Sequence, residues 1–203
     1  MEKYLIPAMT RQGIKEESII VYQDVKCLGN LKAFMNSLRY LENDDTTWHL
    51  QDDIAISKTF KEKTESFTSG VVCGFCSTFD KYKKGGKVNV KDMWYSFPCI
   101  HIPNNLSKEF LRWFKENAMG NEAYKHHLKE NKHDDVLFMD FLKANYPSME
   151  ITHLIPNIVD HIDYLLGGSV VNPARKDKRV TSLFWYDKDV VDAIERSLRY
   201  AGT

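Results

Sequence analysis

Short apolar, β-branched runs bounded by turn-forming residues alternate with longer stretches of helical spacing in the first half of this chain. Tyr4-Leu5-Ile6 and Ile19-Ile20-Val21-Tyr22 read as buried strands. After Gly29-Asn30, apolar residues recur at Leu31, Phe34, Met35, Leu38 and Leu41, a spacing that predicts a helix of about three turns. A further strand is expected in the run through Trp48-His49-Leu50 that ends at Gln51. Strand, helix and strand then make a β-α-β unit. Val71-Val72-Cys73 predicts another strand, and Gly85-Gly86, between Tyr82 and Val88-Asn89-Val90, predicts a hairpin turn.

From Asn105 onward the pattern is richer in helix. Ser107 can cap a helix through Phe110, Leu111, Trp113 and Phe114, and Asp134 can cap one through Val136, Leu137, Met139, Phe141 and Leu142. Glu150 to Ile155 reads as a late strand stopped by Pro156, and Asp187 can cap a closing helix bearing Val190, Val191, Ile194 and Leu198. The polar, basic stretch 167–179 reads as a loop. The expected class is α/β: one domain over 1–203, with a central mixed sheet flanked by helices and a helix-rich second half.

Composition narrows the partners. With 203 residues, 43% of them hydrophobic, the chain can bury one substantial core, and no Pro-, Gly- or Ser-rich linker divides it. Lys plus Arg and Asp plus Glu both number 28, so no net field draws the whole protein to nucleic acid or anionic lipid, and any polyanion contact is local. No apolar run approaches the roughly 18 residues of a membrane span, and no long apolar leader opens the sequence, so a cytoplasmic protein without membrane contact is expected. Four cysteines are too few for a disulfide scaffold. Cys73-Gly74-Phe75-Cys76 runs into a turn sequence instead of a helix start, which disfavours redox use. Zinc would need Cys99 and His101, which lack a second paired spacing, so buried structural thiols are the plainer reading.

Candidate chemistry begins at Asp52-Asp53, where an apolar run ends abruptly in two carboxylates. A strand alternates its side chains, so two adjacent acids cannot both sit in a core without a cation or water. Carboxylates at a strand end over the crevice of an α/β sheet suit Mg2+ or Mn2+ and the phosphates such ions neutralise. Solvated turn acids are the plain alternative. Asp24, after the second expected strand, can accept hydrogen bonds from a nucleoside or simply cap a turn. Asp134-Asp135 opens a helix: capping explains one acid, and the other could serve as general base on a hydroxyl. His161, within Pro156-Asn157-Ile158-Val159-Asp160-His161-Ile162-Asp163-Tyr164, is either a hydrogen-bonded core histidine or a ligand. Arg11, Arg175, Lys176, Lys178 and Arg179 could contact a diphosphate, although such charge runs are usually solvated surface. Lys81, Lys83, Lys84, Lys87 and Lys91 around the hairpin read as a solvated hairpin sooner than as a nucleic-acid arm, given the zero net charge. Trp94, Tyr95 and Phe97 could stack on a sugar or a base, or lie in the core.

Taken in order, these pieces resemble small GT-A-type glycosyltransferases, in particular the compact transferases of bacteriophages and bacteria whose pattern is related to lipooligosaccharide glycosyltransferases. The resemblance spans nearly the whole chain. It is carried by an early Arg, an Asp after the second strand, Gly-Asn before a helix, Leu50-Gln51-Asp52-Asp53, Asp-Asp before a helix, and Pro156 to His161. It implies a Rossmann-like GT-A domain, with a nucleotide-sugar-binding half over 1–100 and an acceptor- and metal-completing half over 101–203. The implied reaction moves a sugar from a nucleotide-diphosphate sugar, by analogy a UDP-sugar, to an acceptor hydroxyl with Mn2+ or Mg2+ bound. Asp53 is then the main metal ligand and His161 a further one, Asp52 contacts the sugar or ribose, Asp24 sits beside the nucleoside and Arg11 near the phosphates. Asp135 or Asp134 is the base if the reaction inverts the anomeric centre. The motif here is Gln-Asp-Asp and not Asp-x-Asp, which leaves the division of duties between Asp52 and Asp53 open. A hydroxymethylated base in phage DNA, a polysaccharide, a protein hydroxyl or a small molecule are open as acceptors, and a second subunit could complete the site. Two other classes stay in view: a nucleotidyltransferase or sugar-nucleotide hydrolase, and a non-catalytic sugar- or nucleic-acid-binding module.

Overall fold

The computed structural model describes residues 5–26, 28–39, 46–75, 85–92, 97–130 and 133–162. Helix α1 (Leu5–Arg11) is followed by α2 (Asn30–Arg39), strands β1 (Thr46–Leu50) and β2 (Ile54–Ile56), and helix α3 (Phe60–Glu65). Strands β3 (Val72–Cys73), β4 (Gly86–Asn89) and β5 (Cys99–Pro103) lead into helices α4 (Asn104–Trp113), α5 (Lys125–Glu130) and α6 (Asp134–Asn145), then strands β6 (Glu150–His153) and β7 (Val159–His161). The class is mixed α/β, as the pattern predicts.

Five strands form one mixed sheet in the order β1-β5-β3-β6-β4, and β2 pairs with β7 in a second, two-stranded sheet. Among the described residues only β3 and β6 run parallel, and every other pairing is antiparallel. Since β5 opposes both β1 and β3, strands β1, β3 and β6 all point the same way, and their carboxyl ends share one edge. Directly paired residues project to the same face. His49, Ile100, Cys73 and His153 therefore line one face, and Trp48, His101, Val72 and Thr152 the other. The first face meets the larger core, built on Leu31, Met35, Phe110, Phe138 and Phe141 of α2, α4 and α6. Against the second face lies the smaller core of Leu5, Ile54, Ile56, Phe60, Phe75 and Val159, drawn from α1, the small sheet and α3. The result is a layer of helices, the large sheet, and a layer built on the small sheet.

Local pattern accounts for the elements that position the site. Leu31, Met35 and Leu38 recur one and two turns apart and are the buried face of α2. In α6, Leu137, Phe138, Met139, Phe141 and Leu142 are all buried, so this helix is covered nearly all round. Phe138 alone meets the rings of Phe34, Phe97, Phe110 and Phe141.

Several expectations are corrected. Leu5 and Ile6 are helical and not part of a strand, while Tyr4 lies outside the described residues: Leu5, Ala8 and Met9 are buried at helical spacing, Pro7 sits in the first turn where its missing N–H costs nothing, and α1 packs on β2. Ile19 to Tyr22 joins no sheet. Ile20 is 64% exposed, and Tyr22 instead accepts a hydrogen bond from Asn36 Nδ2 at 3.0 Å. The expected β-α-β unit therefore does not form, and β1 takes β5 as its antiparallel neighbour. Gly86–Asn89 is a strand, but it pairs with β6; Tyr82 lies outside the described residues. Ser107 does not cap α4, which starts at Asn104 and buries Ser107 within it. Asp134 is the first residue of α6, and the cap position belongs to His133. The closing helix from Asp187 and the basic stretch 167–179 lie outside the described residues.

Candidate active site

Between β1 and β2 the chain leaves one sheet and enters the other, and Asp52-Asp53 occupies that bend. Gln51 N–H donates to Pro98 O at 3.0 Å, which holds the bend against the start of β5. The next residue after Asp53, Ile54, pairs with His161 across the small sheet, and Ile162 N–H donates to Asp53 O at 2.9 Å. These two backbone contacts bring His161 Nδ1 to 3.4 Å from Asp53 Oδ2. The two residues singled out as metal ligands, from opposite halves of the chain, are therefore neighbours. His161 is nearly buried and stands edge-on to Phe75 at 5.1 Å, while the Asp53 side chain keeps 30% exposure.

Gly74 makes the seam that positions β7. Its N–H donates to Cys99 O and its carbonyl accepts from Ile158 N–H, both at 2.9 Å. A Cβ here would lie 2.6 Å from Cys99 Sγ and 2.7 Å from Ile158 Cγ1, closer than side-chain atoms can approach.

The second group, Asp134 and Asp135, opens α6. Asp134 is buried, and desolvation together with the neighbouring Asp135 raises its pKa to about 7. Burial also raises Asp135, opposed by a hydrogen bond to its Oδ1 from Val136 N–H at 2.8 Å and by the nearby His133. A carboxylate that exchanges its proton near neutrality suits general-base work. The orientation of α6 sets where the acids lie. Its end returns through Tyr146 and Met149 to the start of β6, while Phe138 touches Phe97 beside Pro98, at the carboxyl-end edge. The first turn of α6 therefore points towards the edge that carries Asp52-Asp53. The acids belong to the helix layer and the Asp53–His161 pair to the layer on the other face of the large sheet, and no group of three or more metal-ligating side chains forms among the described residues.

The remaining candidates are placed as follows. Asp52 is exposed in the bend. Asp24 Oδ2 accepts from Gly29 N–H at 2.9 Å, the turn-capping role that was its plain alternative, while its Oδ1 is buried without a hydrogen-bond partner among the described residues. Arg11 is exposed at the end of α1; the adjacent Gln12 bonds to Ser57 O at 2.8 Å, which ties this end to the far end of β2 from Asp53. Arg175, Arg179, Trp94 and Tyr95 lie outside the described residues. Phe97 is core, and Lys87 pairs on the surface with Glu150. Cys73 and Cys99 are buried; Cys73 and His101 project to opposite faces of the sheet, so the zinc reading of that set fails.

Sequence reasoning missed two features. Asp160 is a buried acid beside His161, on the other face of β7, and nothing in its apolar surroundings signalled it. His127 and His133, six positions apart, touch through Nδ1 at 2.7 Å; two histidines shortly before Asp134-Asp135 in the sequence were the available hint. Among the described residues no helix is long and apolar enough to cross a membrane. No protein-family model matches the chain, and no curated protein or solved structure matches it.

Proposed function

We propose that this protein is a metal-dependent glycosyltransferase of GT-A type that moves a sugar from a nucleoside diphosphate sugar, of the UDP-sugar class, to an acceptor hydroxyl. The observation that carries the reading is the meeting of Asp53 and His161 at 3.4 Å, on the edge where the carboxyl ends of β1, β3 and β6 gather. Ligands bind over such edges in α/β sheets. One carboxylate and one imidazole at that separation fit adjacent positions on a single Mg2+ or Mn2+, because two ligands roughly 2.1 Å from an ion subtend about 3 Å at a right angle. Hard divalent ions commonly take one or two protein donors and fill the rest of their shell with water and substrate phosphate. A bound ion would supply charge neutralisation at the departing diphosphate.

Asp53, in the bend before β2, and His161, at the end of β7, are held side by side by backbone contacts, so neither side chain must travel far to complete the site. Asp134 or Asp135 accepts the proton of the acceptor hydroxyl as its oxygen attacks the anomeric carbon. The bond from that carbon to the diphosphate breaks, and its electron pair leaves with the nucleoside diphosphate; the product is inverted. Asp134, with its pKa near 7, is the better matched of the two to take a proton at neutral pH. Exposed Asp52 would meet the sugar or ribose. The acceptor stays open by class, with a hydroxymethylated DNA base among the candidates.

Thermal unfolding against nucleoside diphosphates and their sugars, with and without Mn2+, tests the donor site. A ligand that binds only the folded state at 100 times its Kd adds about 2.7 kcal/mol of stability. The stabilisation should require both metal and one nucleotide, and should vanish in Asp53→Asn and His161→Ala. Stabilisation that persists without metal, or in both variants, defeats the assignment.

A further inference from the structure

The seam between β1 and β5 holds two buried imidazoles. Trp48 pairs with His101 and His49 with Ile100, so His49 and His101 are diagonal neighbours on opposite faces of the large sheet. His101 is wholly buried, and its Nδ1 lies 2.7 Å from Gly70 O. A carbonyl can only accept, so Nδ1 carries the hydrogen and Nε2 is a bare lone pair. That Nε2 is buried without a hydrogen-bond partner among the described residues, and so is Nε2 of His49. Burial keeps both rings neutral: His49 is lowered to about 4, with His101 adding to burial, and His101 is lowered by burial against the opposing Gly70 hydrogen bond.

The elements packed on the seam bring no anion to either ring. From α2, Phe34 stands edge-on to His49 at 5.7 Å, while Lys32 and Arg39 of that helix are exposed. On the other face Trp48 lies 5.2 Å from His101 and donates Nε1–H to Thr64 O of α3 at 3.3 Å; Lys61 and Glu65 of α3 pair with each other at the surface. From α4, Asn104 Oδ1 accepts from Thr47 Oγ1 at 3.3 Å, and Glu109 is engaged by Tyr146. Cys99, on the same face as His101, is a thiol that burial pushes up and keeps neutral. Strand β1 itself is the weakest-held member of the sheet. It stands at the end of the strand order, pairs with β5 alone among the described residues, and buries none of its five residues fully.

We propose that the β1–β5 seam is an acid-sensitive release: protonation of His49 and His101 frees β1, and with it the bend that carries Asp52-Asp53, before the rest of the core unfolds. An imidazolium in the seam meets no carboxylate, a second one stands beside it, and both reach water once β1 leaves. The stabilising contribution of each ring is complete above its unfolded value of 6.5 and is lost as the pH falls towards the lower folded value. From His49 alone, opening becomes about 20-fold more favourable between pH 7 and pH 5, and His101 adds to that. The release belongs to the folded chain and does not depend on the proposed transfer reaction. Amide hydrogen exchange of the intact protein at pH 5, 6 and 7, corrected for the intrinsic rate, reads it residue by residue. Protection of the β1 amides should fall by about 20-fold or more from pH 7 to pH 5 and should lie below that of Leu137 to Leu142 in α6. In His49→Phe the fall should shrink to the share left by His101. Protection in β1 that is independent of pH, or that equals that of α6 at every pH, overturns the proposal, as does a full-sized fall in folded His49→Phe. Should that variant not fold, the comparison of β1 with α6 in wild type decides. A seam that opens with acid in a protein that binds no metal-nucleotide pair would sink the proposed function and leave the release standing.

Discussion

Replacing Asp134 by Asn should make the protein more stable as the pH rises, relative to wild type, and the size of the effect follows from its burial. The folded state holds the Asp134 proton up to about pH 7, against the ordinary 3.8, so it binds that proton more tightly than the unfolded chain. Stability from this group is therefore fully present below about pH 4, is lost as the pH climbs to about 7, and is flat beyond. At 1.36 kcal/mol per unit, the two units between pH 5 and pH 7 amount to about 3 kcal/mol. Wild type alone will not reveal it. His49 and His153 have folded pKa values lowered to about 4 by burial, so their contributions grow over the same range and flatten the curve. The difference between Asp134→Asn and wild type isolates the carboxylate, since both chains keep the histidines. Urea unfolding at half-unit steps from pH 5 to pH 8 measures it. With a slope of about 2 kcal/mol per molar, the gap between the two midpoints should widen by on the order of 1 M and then level off above pH 7. A gap that stays constant across the range would refute the buried, raised carboxyl and remove the reason to favour Asp134 over Asp135 as base.

Other outcomes follow from the same geometry. His153→Gln should flatten the acid limb of stability, because the buried neutral ring contributes stability above pH 6.5 that is lost as the pH falls towards 4, about 3 kcal/mol in all; matched wild-type and variant melts at pH 4.5 and 7.5 read the difference. Phe138→Ala should cost about 3 to 5 kcal/mol in denaturant unfolding, since it opens a cavity among four aromatic rings. Gly74→Ala should cost about 2 kcal/mol or more by forcing Cys99 and Ile158 apart, and, on the proposed donor site, should weaken Mn2+-dependent nucleotide binding because Ile158 leads into His161. If Gly74→Ala unfolds like wild type, the seam is looser than its contacts imply.

What the sequence made legible was long and periodic. Leu31, Met35 and Leu38 announce α2 because burial at a helical period leaves a mark over ten residues. Tyr4-Leu5-Ile6 was too short to separate a strand from one helical turn, and Pro7, which reads as a strand breaker, is equally at home in a helix's first turn. Ile19 to Tyr22 has the composition of a strand, but strand formation needs a partner, and β5 takes that place beside β1. In the site, Asp53 was visible as a carboxylate ending an apolar run, while its contact with His161 depends on a pairing of β2 with β7 that no local pattern encodes. Family resemblance suggested that partnership; hydrophobic periodicity could not. The His127–His133 contact was hidden for a related reason, since it depends on one left-handed residue at the start of α6.

The pairing of β2 with β7 has a consequence during synthesis on the ribosome. Ile54, Ala55 and Ile56 are all covered in the finished molecule, and their strand partner is made only after residue 158. Throughout translation of the intervening segment, this apolar strand has an open hydrogen-bonding edge, the kind of surface that recruits chaperones or pairs with another chain. The nascent protein can complete neither that layer nor the Asp53–His161 pair until His161 has emerged from the exit tunnel. Nascent chains arrested before β7 should therefore be bound by chaperones and, with the proposed metal site incomplete, blind to Mn2+, whereas release of a longer chain should end the first condition and, on that proposal, the second.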